Sequence, residues 1–154
     1  MSILLAILYI SVALPPDCTV LSTNGDSIDS ILTIAQTTLV HIEKLRMTLP
    51  VTQPKVPVSP PIKGLTSITQ YLAVLDNDLK NPSTDHLIQI QSDVSSLEGR
   101  VRSLAVTMNC PVQDRPAPQT HGNIFPETHF HLTLAKAQLY LEKFLRNKDK
   151  LKVC

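Results

Sequence analysis

Between Leu87 and Met108 runs a series of apolar residues, Leu87, Ile90, Val94, Leu97, Val101, Leu104 and Met108, that alternates steps of three and four without a miss. That spacing places seven aliphatic side chains on one face of a helix, and such a face must be buried against other elements. Three more segments carry the same signature. The first, 26–47, has Ile28, Ile31, Leu32, Ala35, Leu39, Ile42 and Leu45. The second, 65–80, has Leu65, Ile68, Leu72, Leu75 and Leu79. The fourth, 128–150, has Leu132, Leu134, Ala137, Leu141, Phe144 and Leu145, with Leu151 just beyond. An all-α fold of four helices is expected.

The connections order them. Residues 50–61 hold prolines at 50, 54, 57, 60 and 61, and 110–126 hold them at 111, 116, 118 and 126. Proline removes backbone donors and fixes extended conformations, so neither stretch continues a helix. Between the second and third helices only Asn81-Pro82-Ser83-Thr84 intervenes, a tight turn that makes those helices antiparallel neighbours. A first helix of about 22 residues is roughly 33 Å long. An extended connector of about 17 residues reaches roughly 50 Å, enough to return along it. Long, short, long fits an up-up-down-down four-helix bundle with two crossover loops. An up-and-down bundle with long loops stays open, because loop length alone does not make neighbours parallel.

Ile3 to Val12 is a nearly unbroken apolar run, followed by Pro15-Pro16 and then small and polar residues. It is short for a membrane span, which needs about 20 residues, and suits the apolar region of a signal peptide. Cleavage after Ser22 gives a signal peptide over 1–22 and one domain over 23–154; an uncleaved anchor or a buried segment is the alternative. Three cysteines are present, Cys18, Cys110 and Cys154. Cys18 would leave with the signal, and the remaining pair should bridge in an oxidising compartment. In a cytosolic protein the same two would be free thiols.

Chemistry is hard to find. Fourteen basic and thirteen acidic residues leave a net charge of +1, tryptophan is absent, and Phe and Tyr number three each. Neither a nucleic-acid surface nor base-stacking platforms follow from that. Of five histidines, His129 and His131 are two apart and so lie on different helical faces, and no metal site is expected. The four glycines are scattered, so no phosphate loop forms, and no nucleophile elbow is present. Asp76 and Asp78 read as a solvated face. No catalytic residues and no cofactor are expected, which favours a ligand over an enzyme.

Short motifs carry a family resemblance. Leu72-Ala73-Val74, twelve residues, and Leu87-Ile88-Gln89-Ile90 resemble a leptin pattern at the same spacing. The register holds through Asp93, Leu97, Leu104 and Ala105 to Cys110, which matches the first disulfide cysteine of leptins. Cys154 matches the terminal one, and Leu134, Gln138, Leu141 and Leu145 keep register in the fourth helix. Asn123-Ile124-Phe125 and the Lys-rich ending Lys148 to Cys154 look most like fish leptins. Two features depart: only Pro60-Pro61-Ile62-Lys63-Gly64 stands in the first loop, and Arg146 replaces a tryptophan.

The resemblance implies a secreted, monomeric hormone of the long-chain class-I cytokine type. It would bind and assemble the leptin receptor, a class-I cytokine receptor, and bear on energy balance and food intake. A different four-helix cytokine and an apolipoprotein-like lipid-surface protein remain alternatives, the latter using its apolar faces on lipid. The principal receptor face implied is Thr33 and Thr37 of the first helix with Gln89, Ser96 and Arg100 of the third. Thr33 and Thr37 are one turn apart and off the apolar stripe, as Gln89, Ser96 and Arg100 are off theirs. A second contact is implied at Thr128 and His129, where the fourth helix begins.

Overall fold

The computed structural model describes residues 23–49, 58–80, 85–117 and 126–154. Four α-helices account for most of them: α1 (Thr23–Thr48), α2 (Leu65–Lys80), α3 (Ile88–Thr107) and α4 (Pro126–Arg146). A 3-10 turn, Asp85–Leu87, leads into α3, and a 3-10 segment, Lys148–Lys152, follows α4. The expected signal segment, residues 81–84 and parts of both long connections, 50–57 and 118–125, lie outside the described residues.

α3 packs on α1 and α2, and α4 packs on the same two, so α1 and α2 sit across the diagonal of the bundle. Cross-helix bonds give the directions. His41, late in α1, meets Asp93, early in α3. Asp76, late in α2, meets Gln91, early in α3, while Thr66 at the start of α2 meets Pro111 just beyond α3. Lys143, late in α4, donates to the carbonyl of Pro60, just before α2. Hence α1 and α2 run one way and α3 and α4 the other, the up-up-down-down order.

The stripes read from the sequence meet in one core. Ile31, Ala35 and Ile42 of α1, Leu72 and Leu75 of α2, Leu97 and Val101 of α3, and Leu134, Leu141 and Phe144 of α4 are all fully buried. Each of these side chains larger than alanine contributes about 1.5–3 kcal/mol through burial. Ile28, Leu32, Leu39 and Leu45 are only partly buried and form the rim. Thr38 and Thr69 are tolerated inside because each hydroxyl donates to the carbonyl four residues earlier.

Two corrections concern polarity and helix ends. Asp76 does not belong to a solvated face: it is buried, accepts from Gln91 Nε2 at 3.1 Å and pairs with Lys80 at 3.0 Å. Its neighbour Lys80 arches over it one turn later, and α3 closes its other side. The α-helical course of the fourth helix also ends at Arg146, short of Lys150. There Asn147 donates to the carbonyl of Lys143, and the chain tightens into the 3-10 segment that buries Leu151.

The end of α3 turns the chain sharply. Asn109 takes φ 57°, the left-handed region that asparagine tolerates better than most residues. Its N–H bonds to the carbonyl of Val106, and that of Cys110 to Ala105, a Schellman stop. Cys110 is thereby turned to Cys154: the two are joined, with Cα atoms 5.3 Å apart. The bridged C-terminal segment then caps α2, whose first donors, the N–H groups of Leu65 and Thr66, bond the carbonyls of Val153 and Cys154 at 2.8 and 3.1 Å.

Candidate functional site

A polar clasp bridges the seam between α1 and α3. The Nδ1 of His41 donates to Asp93 Oδ2 at 2.5 Å, and Asp93 Oδ1 accepts from Gln89 Nε2 at 2.9 Å. Asp93 is half-buried, which leaves its charge-assisted bonds less exposed to competing water. The clasp fixes the register of two antiparallel helices. Stepping one turn back along α1 gives Thr37, and one turn forward along α3 gives Ser96. A second step gives Thr33 and Arg100. Each step is about 5.4 Å, so the five residues Thr33, Thr37, Gln89, Ser96 and Arg100 form one ledge. All five are exposed.

The two threonines are less polar than their type implies. Thr33 Oγ1 donates to the carbonyl of Asp29 and Thr37 Oγ1 to that of Thr33, both at 2.9 Å. Their protons are committed to their own helix, so a partner meets methyl groups and acceptor lone pairs. Val40 is 47% exposed and stands three residues after Thr37 on this flank, adding an aliphatic patch. The sequence pattern did not single out Val40 or His41, and it named Asp93 only as a residue in family register, not as a partner of His41. Val40 had a usable signal, since it is out of step with Ile31, Ala35 and Ile42. The clasp had none, because 52 residues separate its partners.

The α2–α3 side is occupied by the chain itself. Residues 110–117 run back along it, anchored by Thr66 Oγ1 to the carbonyl of Pro111, Arg102 to that of Gln113, and Asn77 Nδ2 to that of Ala117. Under this strap Glu98 is buried, bonded to Arg102 Nε at 2.6 Å and to Arg115 Nη2 at 3.0 Å. Burial pushes its carboxyl up, but hydrogen bonds from Arg115 and Arg102, and their charges, outweigh this and hold it below the ordinary glutamate value.

Thr128 and His129 lie in the first turns of α4. His129 is half-buried, with Nε2 3.5 Å from Thr133 Oγ1. Since α4 sits diagonally from α3, they are not part of the α1–α3 ledge. Among the described residues, no three His, Cys, Asp or Glu side chains are gathered as metal ligands, and no helix is long and apolar enough to cross a membrane.

Comparison with known proteins adds an independent line. A family model described as leptin matches residues 29–154. Leptin-B of Oryzias latipes is 48% identical over 154 aligned residues, covering 97% of this chain and 98% of that protein. The family match takes in both bridged cysteines and every residue of the ledge.

Proposed function

Because the chain belongs to the leptin family, we propose that it is a secreted hormone that binds and assembles the leptin receptor, a class-I cytokine receptor, and thereby regulates energy balance and food intake. Residues 1–22 serve as its signal peptide, carrying Cys18 away, and the released hormone is a monomer. It works as a ligand and catalyses nothing. The α1–α3 ledge is the principal receptor surface, and Thr128 with His129 is a second contact.

The observation that carries the reading is the open ledge beside the His41–Asp93 clasp, at a point where the opposite, α2–α3 side is strapped by residues 110–117. A rigid two-helix face with small side chains, an aliphatic patch at Val40 and one arginine lets a partner approach closely and bury an anchor. The apolar stripes themselves are spent on one another in the core, which speaks against action on a lipid surface. Binding of the purified, disulfide-bonded protein to a leptin receptor ectodomain tests the proposal. Saturable binding is expected, and absence of binding by a folded preparation overturns it.

A further inference from the structure

The charge of the chain is not spread evenly. Residues 143–152 hold five of its fourteen basic residues, Lys143, Arg146, Lys148, Lys150 and Lys152, and one of its thirteen acidic ones, Asp149. The rest of the chain is therefore net acidic. Lys63 joins the cluster from another direction: the N–H of Leu65 bonds Val153, and Gly64 lies against Cys154. None of the ion pairs among the described residues takes Lys63, Arg146, Lys148, Lys150 or Lys152. By contrast Lys80, Arg102 and Arg115 are each neutralised by Asp76 or Glu98.

These cations stand on a fixed support. Leu151, in their midst, is fully buried, the Cys110–Cys154 bridge ties down the end, and two backbone bonds dock it on α2. Lys143 is held by the carbonyl of Pro60. Like charges held together repel, and a frayed tail would relax that repulsion. Here the fold fixes the backbone that carries them, so a polyanion meets cations at set stations and has only their side chains left to order. The chemistry of the partner is set by what accompanies the charge. Insertion into an anionic membrane needs apolar side chains beside the cations. Phe144 and Leu151 face the core, Leu145 is half-buried against it, and Val153 is the one exposed apolar side chain of the segment, too little to insert. Charge alone suits an extended sulfated chain, the kind of ligand that short Lys/Arg-rich segments hold.

We propose that the surface formed by Lys63, Arg146, Lys148, Lys150 and Lys152 binds sulfated polysaccharide of the cell surface or extracellular matrix, apart from the α1–α3 ledge. Heparin is the probe, with the disulfide-bonded protein at about 0.15 M salt, where long-range attraction between exposed charges is largely screened. The protein is retained, and Lys148→Gln/Lys150→Gln/Lys152→Gln loses affinity at least tenfold while binding the leptin receptor ectodomain as before. A charge-matched variant, Lys44→Gln/Lys80→Gln/Lys136→Gln, keeps its heparin affinity. Passage of the native protein through heparin overturns the proposal. So does an equal loss in both triple variants, which would mean net charge alone, or equal retention on an unsulfated, carboxylate-only polysaccharide. Binding to phosphatidylserine vesicles as tight as to heparin would assign the surface to lipid instead.

Discussion

At Gly64 a single hydrogen decides how the chain closes. A Cβ there would lie 2.3 Å from the carbonyl carbon of Cys154, 2.5 Å from its oxygen and 2.9 Å from the oxygen of Val153. These are backbone atoms fixed by a disulfide and by two bonds to α2, so they have no easy retreat. Gly64→Ala should destabilise by about 1–3 kcal/mol, as overpacking does. Gly99 is the opposite case: nothing lies within 4 Å of its absent Cβ, and it sits inside α3. Gly99→Ala should stabilise by about 1 kcal/mol through helix propensity. Denaturant midpoints that move the same way for both would contradict this. Glu98 supplies a pH signature. Its carboxyl is depressed in the folded state, so it binds protons more readily when unfolded. Its contribution is complete well above the ordinary glutamate value, about 4.3, and is lost as pH falls below it. Glu98→Gln should therefore be less stable than the native protein at pH 7, by about 1.5–3 kcal/mol at most, with exposed Arg115 favouring the low end. The gap should narrow towards pH 3. A constant gap in denaturant titrations across that range would show that the ion cluster is not its source.

At the scale of elements, periodicity made four helices legible because each has to bury one aliphatic stripe, and the prolines made the connections legible. The ends were less so. Thr23 begins α1 three residues before its expected start, and α4 gives way to the 3-10 segment at Asn147, where a side-chain bond back to Lys143 competes with the helix. Asp76 could not be read as buried, since its partners Gln91 and Lys80 come from the next helix and the next turn. The exposed positions of the ledge were readable from their offset to the stripes. The clasp that sets their register depends on packing between distant segments. The Cys110–Cys154 bridge, with the backbone bonds beside it, gathers the end of α3, the start of α2 and the segment after α4. It closes a separation of 44 residues, worth about 4 kcal/mol by chain entropy. Cys110→Ser/Cys154→Ser should keep its helical signal at low temperature yet lose roughly that much stability. A loss below about 1 kcal/mol would mean that Leu151 and the backbone bonds hold the end without the bridge.

For the molecule as a whole, the bundle divides its surface by use. One side is closed by its own strap, one end gathers a cluster of cations, and the α1–α3 ledge is left open with His41 and Asp93 locking its register. If that ledge is where the receptor docks, charge placed at its middle must disturb binding while leaving the core untouched. Thr37 and Arg100 are both exposed, so Thr37→Glu/Arg100→Glu should fold with an unchanged near-UV spectrum and an intact disulfide. Arginine is a favoured anchor at interfaces, so its loss should weigh more than that of Ser96. The decisive measurement is the affinity of this double variant for the leptin receptor ectodomain beside that of the native protein. The account predicts a loss of tenfold or more, about 1.4 kcal/mol. Unchanged affinity in a folded double variant would contradict it and move the principal contact to the start of α4, around Thr128 and His129.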